Sequence, residues 1–187
     1  MRVVIAITGA SGVIYGRRLA EELSKAGAKI DIVVSDGAKK VMDLEESGGS
    51  KSAIARLKRI GRVYSEDDMD APFASGSNAP DAFVVCPCSM KTLAGIANGY
   101  SENLIMRGAE VALKERKLLV LVPREMPFTA IQLENMLKLA RLGAVIMPPQ
   151  PAFYHKPKKL DDAIDFVIGK IIDVIGLKHK LFKRWGG

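Results

Sequence analysis

The sequence predicts an α/β fold of three layers, a mostly parallel sheet between two layers of helices. Three observations predict it. Short β-branched runs alternate with stretches of helical periodicity along the whole chain. The strand-like runs are apolar almost throughout, as buried strands are. The chain has 187 residues, the size of one domain and enough to bury a core without disulfide or metal staples.

The elements follow in order. Arg2–Ile7 reads as a buried strand, followed at once by Gly9-Ala-Ser-Gly12. Leu19, Ala20, Leu23 and Ala26 recur at helical spacing, and Gly27 is placed as a helix stop. Lys29–Val34 is a second strand ending at Ser35-Asp36-Gly37, and a short helix is expected over Ala38–Glu45. Ser47–Ser52 is Gly/Ser-rich and expected to be mobile, Ala53–Arg59 to form a helical turn, and Arg62–Tyr64 an edge strand. Asp67–Pro80 reads as a long polar loop.

Ala82–Val85 is the next buried strand, with Pro87 of Cys86-Pro-Cys-Ser ending it. Met90–Ala97 looks helical and stops at the turn dipeptide Asn98-Gly99. A helix over Leu104–Arg116, a strand over Leu118–Val122 and a helix marked by Ala130, Leu133, Leu137 and Ala140 come next. Ala144–Met147 is the last strand, and Pro148–Pro157 is extended. Ile164, Val167, Ile168, Ile171, Ile172 and Ile175 complete the chain's clearest apolar stripe.

Composition bounds the function. Hydrophobic residues are 48% and charged residues 26%, which is ordinary globular composition. No apolar run approaches the roughly 18 residues of a membrane span, and the N-terminus enters a strand directly, unlike a signal peptide. The two cysteines, Cys86 and Cys88, are too close in sequence to form a disulfide framework. A soluble, cytoplasmic single domain spanning 1–187 is expected. There are 28 Lys and Arg against 21 Asp and Glu, a net charge of +7. Such a balance suits nucleic acid, a membrane surface or small phosphorylated ligands. No nucleic-acid motif accompanies the charge, so neither nucleic acid nor membrane is the expected partner.

In parallel sheets ligands sit outside the carboxyl ends of the strands, so the residues that follow strands carry most of the functional information. Gly9-Ala-Ser-Gly12 either cradles a phosphate at a helix start or is a turn that simply needs glycines. Ser89 is a good N-cap, and the Ser/Lys/Thr cluster there can donate to an anion or to flavin carbonyls. The cysteines are best read as small buried residues, with no histidine near enough to activate them and no zinc spacing. Arg107 and Lys114, seven apart, share a helix face that is either solvated or anion-binding. Arg124-Glu125 is either an anion clamp with an acid/base or a pair of loop charges. Tyr154 is a core aromatic or a hydroxyl donor, and Lys170 by default snorkels from the last helix. With only His155 and His179 present, hydrolase triads and metallohydrolases are discounted.

The chain resembles the UbiX-type flavin prenyltransferases, of the group that also contains the flavin-dependent cysteine decarboxylases. The resemblance rests on Gly9-Ala-Ser-Gly12, Val34-Ser35, Ala74-Ser-Gly-Ser77 and Pro87-Cys-Ser-Met-Lys-Thr-Leu-Ala-Gly-Ile96. It continues through Asn103-Leu-Ile, Leu113-Lys-Glu-Arg116, Leu121-Val-Pro-Arg-Glu-Met-Pro127, Asn135-Met136, Pro151-Ala-Phe-Tyr154 and Arg184-Trp185. It implies a Rossmann/flavodoxin-like fold. It also implies a metal-independent enzyme that joins the dimethylallyl group of dimethylallyl monophosphate to N5 and C6 of reduced FMN, for use by a UbiD-type decarboxylase.

By this resemblance Gly9, Ala10, Ser11, Ser35, Ser89, Met90, Lys91, Thr92 and Arg124 hold FMN. Arg107, Lys114, Tyr154 and Lys170 grip the prenyl phosphate. Glu125, Glu45 and Ser11 stand at the reaction, Glu125 foremost for proton transfer. An Arg often stands in the family where this chain has Lys170, which keeps the charge but not the bidentate fork. The resemblance further implies a homo-oligomer, a dodecamer, with sites between subunits and a tail of about 176–187, including Trp185, that closes over the site or a neighbouring subunit. Two other readings are an FMN-dependent decarboxylase of cysteine-type substrates and a flavin carrier without chemistry. The early His and the Pro-Ala-Ala/Ser-Asn-Thr segment of the former are absent, and this chain has Pro-Cys-Ser-Met-Lys-Thr in the corresponding place.

Overall fold

The structure, a computed structural model, describes residues 1–186. Gly187, the last residue of the expected tail, lies outside the described residues. The chain runs β1 (Arg2–Ile7), α1 (Val13–Lys25), β2 (Lys29–Val34), α2 (Asp36–Glu45), α3 (Gly49–Lys58) and β3 (Arg62–Ser65). It continues β4 (Ala82–Cys88), α4 (Met90–Ala97), α5 (Leu104–Lys114), β5 (Leu118–Pro123), α6 (Ala130–Arg141), β6 (Val145–Ile146) and α7 (Leu160–Ile175). All strand pairings are parallel, in the order β3-β2-β1-β4-β5-β6. That is the doubly wound order of Rossmann folds, which reverses direction between β1 and β4.

Because strand side chains alternate, each strand feeds two cores. Val3, Ile5 and Ile7 of β1 pack on one side with the buried faces of α1, α2, α3 and α7. Val4 and Ala6 pack on the other side with α4, α5 and α6. The isoleucine stripe of α7 is buried as expected, from Ile164 to Ile175.

Several expectations are corrected. Ser47–Ser52 is not a loose stretch: α3 begins at Gly49, and the Asp43 carboxylate accepts from the Ser50 amide at 2.7 Å, binding one of that helix's free donors. The helix expected from Ala38 starts two residues earlier, with Ser35 as its cap. Pro87 does not end its strand. Pairing resumes at Cys88 after a register shift, and such an irregularity is where a strand tolerates a residue without an N–H. The polar loop Asp67–Pro80 folds into two short 3-10 turns, and its Phe73 is fully buried against Tyr64 and Phe83. The last strand shrinks to Val145–Ile146. In α6 the apolar stripe points outward: Leu133 and Leu137 are half exposed, while Met136 and Leu139 carry the buried face.

The seam between β1 and β4 is tied by one buried hydroxyl. Thr8 Oγ1 donates to the Pro87 carbonyl at 2.8 Å and accepts from the Ser89 amide at 2.7 Å. Helix α1 presses on the same seam at Gly16, where a Cβ would overlap the Cys86 carbonyl oxygen and the Ile7 side chain.

The tail folds back on α7. Arg184 makes two hydrogen bonds to Asp173, at 2.6 and 3.1 Å, and His179 contacts the same carboxylate at 3.1 Å. Trp185 then lies edge-on to Tyr154, ring centres 5.2 Å apart. The Arg184 hydrogen bond holds the Asp173 carboxyl below its ordinary range; partial burial opposes this, and His179 adds to the lowering.

Two outcomes are expected. Thr8→Val strands the Ser89 amide and should cost about 1–3 kcal/mol, read as a lower urea midpoint with unchanged slope. The Asp173 value is lower folded than unfolded, so its pairing stabilises the tail above about pH 4 and is lost as pH falls through the folded value. Trp185, the only tryptophan, reports this: its fluorescence should change as pH falls below about 4. In Asp173→Asn it should be changed already at pH 7.

Candidate functional site

At the seam the chain leaves the sheet in opposite directions. The turn after β1 enters α1 on one face, and Ser89 after β4 enters α4 on the other. A crevice opens between them, as expected where strand order reverses.

One part of the crevice is a cavity of about 360 Å³ lined by Gly9, Ser35, Ser89, Lys91 and Thr92, together with Gly37, Glu66, Asn103 and Met106. Gly9 is required by space, since a Cβ there would lie 3.0 Å from the Gly37 backbone. Ser35 and Ser89 are helix caps: their hydroxyls accept from the Ala38 and Thr92 amides at 3.0 and 3.3 Å. The Ser89 and Thr92 hydroxyls are 3.0 Å apart. The amides of Met90 and Lys91 at the start of α4 have no partner among the described residues, and neither does the Lys91 ammonium. An anion is favoured there by unpaired N–H groups, the helix dipole and a lysine together. Ala10 is buried in the turn, and the Met90 side chain packs on the core below.

A second cavity, of about 370 Å³, holds Ser11, Arg124 and Glu125, walled by Tyr15, Pro123, Met126 and Phe128 and by Pro148–Gln150. The Arg124 backbone is hydrogen-bonded to the Cys88 carbonyl at 3.2 Å, which ties the β5 turn to the β4 turn. Its guanidinium makes no hydrogen bond or ion pair among the described residues. Glu125 is half-buried, and its carboxylate touches only the Met126 amide, at 3.2 Å. Glu45 reaches the same place from the end of α2: its carboxylate accepts from the Gly12 amide at 2.9 Å and from Val13 at 3.2 Å. A carboxylate at a helix start is favourably placed, here beside Ser11.

The remaining predicted residues are not brought together within the chain. Arg107 and Lys114 lie on α5: Arg107 donates to the Ala74 carbonyl at 3.0 Å and pairs with Glu110 at 2.9 Å, and Lys114 pairs with Glu115 at 2.7 Å. Tyr154 packs edge-on to Phe166 of α7, and Lys170 of the same helix lies 3.8 Å from Asp173. Helices α5 and α7 cover opposite faces of the sheet. No one phosphate meets all four side chains of a single chain.

Cys86 and Cys88 are fully buried, and burial pushes both thiols far up, so neither is a nucleophile. Among the described residues no group of three His, Cys, Asp or Glu is arranged to hold a metal, and no helix is long and apolar enough to cross a membrane.

Sequence reasoning missed Glu66 and Asn103. Glu66 follows β3 directly, so the rule about residues after strands was a signal for it. Asn103 is the N-cap of α5, with Oδ1 accepting from the Met106 amide at 3.0 Å.

Comparison with known proteins gives the family. Residues 1–175 match the family model described as Flavoprotein. The flavin prenyltransferase UbiX of Methanocaldococcus jannaschii is 54% identical over 187 residues, covering 100% of this chain and 99% of the relative. A solved dodecameric FMN-dependent UbiX-like decarboxylase from Escherichia coli O157:H7 superposes with a TM-score of 0.94 at 40% identity, covering 100% of both chains. AnUbiX, solved in complex with FMN and dimethylallyl pyrophosphate, superposes with a TM-score of 0.93 at 41% identity, covering 100% of this chain and 97% of that one. Family model, whole-length identity and superposition agree, and the chain belongs to the UbiX flavin prenyltransferases.

Proposed function

We propose that the chain transfers the dimethylallyl group of dimethylallyl monophosphate to N5 and C6 of reduced FMN. One observation carries this reading: the β1 turn and the β4 turn shape two neighbouring cavities of different chemistry. One offers unpaired helix-start amides, hydroxyls and Lys91; the other sets Arg124, Glu125 and Ser11 among apolar walls.

The residues fit FMN. Gly9 and Gly37 keep their backbones where a Cβ would crowd them, and Ser35, Ser89, Lys91, Thr92 and the Met90 and Lys91 amides can donate to a phosphate or to ring carbonyls. When bound, reduced FMN supplies the electron-rich ring to which the allyl carbons are joined.

The chain's own groups handle the rest. Breaking the allylic C–O bond builds negative charge on the phosphate and positive charge on the allyl unit. Arg107, Lys114, Lys170 and the Tyr154 hydroxyl bind that phosphate, and pre-placed donors are worth most where charge develops. Tyr15, Pro123 and Phe128 give the second cavity apolar walls, which a neighbouring copy would close against water to protect the allyl cation. Glu125, with one oxygen on the Met126 amide, has a second free to accept a proton. Glu45, held by the Gly12 and Val13 amides, places a second carboxylate beside Ser11.

The site is completed between copies of the chain, in a homo-oligomer that we take to be a dodecamer. The separation of Arg107 and Lys114 from Tyr154 and Lys170 by the sheet supports this, as does the outward apolar face of Ile131, Leu133, Leu137 and Leu142. The tail from about 176, with Trp185 against Tyr154, closes over the site. The prenylated flavin then serves a UbiD-type decarboxylase.

Anaerobic incubation with reduced FMN and dimethylallyl monophosphate should give a flavin heavier by one prenyl unit in mass spectrometry. An unchanged flavin mass, where a control enzyme succeeds, rejects the reading. Glu125→Ala should retain FMN and lose about 10²–10⁴-fold in rate, the range for a general acid or base; a carrier without chemistry would be indifferent to this change. Bleaching of bound FMN by a cysteine-type thiol with release of CO2 would favour the decarboxylase instead.

A further inference from the structure

Glu66 sits in the cavity where FMN is proposed to bind, and it is an anion in a place otherwise built for one. It is half-buried. Its carboxylate accepts from the Asp36 amide, the first of α2, at 2.7 Å, and from Asn103 Nδ2 at 2.6 Å. Its carbonyl accepts from the Leu104 amide at 2.8 Å. The carboxylate is therefore fixed from two sides, by α2 and by the cap of α5.

The unused bonding capacity is informative. A carboxylate offers about four lone-pair sites, and the protein occupies two of them. The Asn103 amide has one N–H left after its bond to Glu66, while its oxygen is engaged by Met106. What remains is an acceptor-rich edge with a single donor. Hydroxyl groups satisfy such an edge; a phosphate dianion, which has no protons to give and a like charge, does not. The α4 side of the same cavity carries Lys91, the Ser89 and Thr92 hydroxyls and the two unpaired α4 amides. The cavity thus has an acceptor side, from Glu66, and a donor side, from α4.

We infer that Glu66, positioned by Asn103, is a specificity-determining residue that binds the hydroxyl-bearing side chain of the flavin and directs its phosphate to the Lys91 wall. This rests on the proposal that the cavity takes FMN. It assigns a ligand part, a polyol, to residues that the resemblance leaves without a role.

The test compares three flavins that differ only in the side chain: FMN, riboflavin, which lacks the phosphate, and lumiflavin, which lacks the hydroxyl chain as well. Each is titrated by fluorescence into the assembled full-length protein, wild type, Glu66→Gln, Glu66→Ala and Lys91→Ala, with thermal unfolding measured on each. Loss of a hydrogen bond to a charged group predicts about tenfold weaker FMN and riboflavin binding in Glu66→Ala, a smaller loss in Glu66→Gln, and no change for lumiflavin. Lys91→Ala should weaken FMN alone. Should the alanine variant not fold, the glutamine variant, which keeps an acceptor for the Asp36 amide, decides by the same pattern. Equal losses for all three flavins would show a mere brace between helices and overturn the inference, as would no loss for any. Failure of the wild type to bind any flavin overturns the functional reading itself, a result distinct from either.

Discussion

The site depends on the hydroxyl of Thr8. In a doubly wound sheet the strands on either side of the reversal send their chains to opposite faces, and here the backbone ladder reaches the two departing turns through the Thr8 amide, which donates to the Pro87 carbonyl at 3.2 Å. The Thr8 hydroxyl adds the link to the start of α4, giving its proton to Pro87 and taking that of Ser89. Proline at 87 has no donor of its own, and β4 pairs with β5 again at Cys88 after a register shift. Gly16 lets α1 close on the seam from above. The two turns that this junction aligns carry Gly9, Ser11, Ser89 and Lys91, so an error of an ångström at Thr8 would pass directly into both cavities.

Charge is distributed around that junction with a definite sense. Helices α1, α2 and α4 each follow a strand at the carboxyl edge of the sheet, and each exposes amides. Glu45 occupies those of α1, and Glu66 occupies the first of α2. At α4 the first two amides, like the Lys91 ammonium, have no partner among the described residues. The protein's own carboxylates thus answer the starts of α1 and α2, and none answers that of α4 among the described residues. The net charge of +7 gives little hint of this, since Arg2, Arg17, Arg18 and Arg56 are all consumed in ion pairs remote from the crevice. What matters is which cations lack a carboxylate, and Lys91 and Arg124 are such cations.

The strands were legible because burial on both faces leaves a local mark: runs such as Val3–Ile7 and Leu118–Val122 admit little else. The glycine and serine positions of the site were legible for a related reason, since each follows a strand and the topology then says where it points. Ser47–Ser52 misled because Gly and Ser report backbone freedom, whereas the start of α3 is set by Asp43, seven residues before Ser50. In α6 the regular stripe Leu133 and Leu137 was real, but periodicity states only that one face is apolar and not what covers it; within the chain, Met136 and Leu139 face the core instead. Glu66 was only half legible, for a third reason: its place directly after β3 marked the position but not what it holds. Its meaning comes from Asp36 and Asn103, thirty and thirty-seven residues away, and no pattern near Glu66 announces either partner.

The separation of Arg107 and Lys114 from Tyr154 and Lys170, the side chains proposed for the prenyl phosphate, shows why a fold of this size does not close its own proposed site. The crevice is formed at one edge of the sheet, but α5 and α7 lie on different layers, and the sheet between them is packed from both sides without a gap. Arg107 and Tyr154 cannot approach without breaking those cores. A neighbouring copy needs only to present its α7 side to the α5 side of the first. Under the proposed reading the same contact would join the four groups around one phosphate and remove water from the allyl unit. Catalysis and assembly would then be one requirement: an isolated chain could hold the flavin through Gly9, Ser35 and Ser89, yet lack half the charge that lets the phosphate leave.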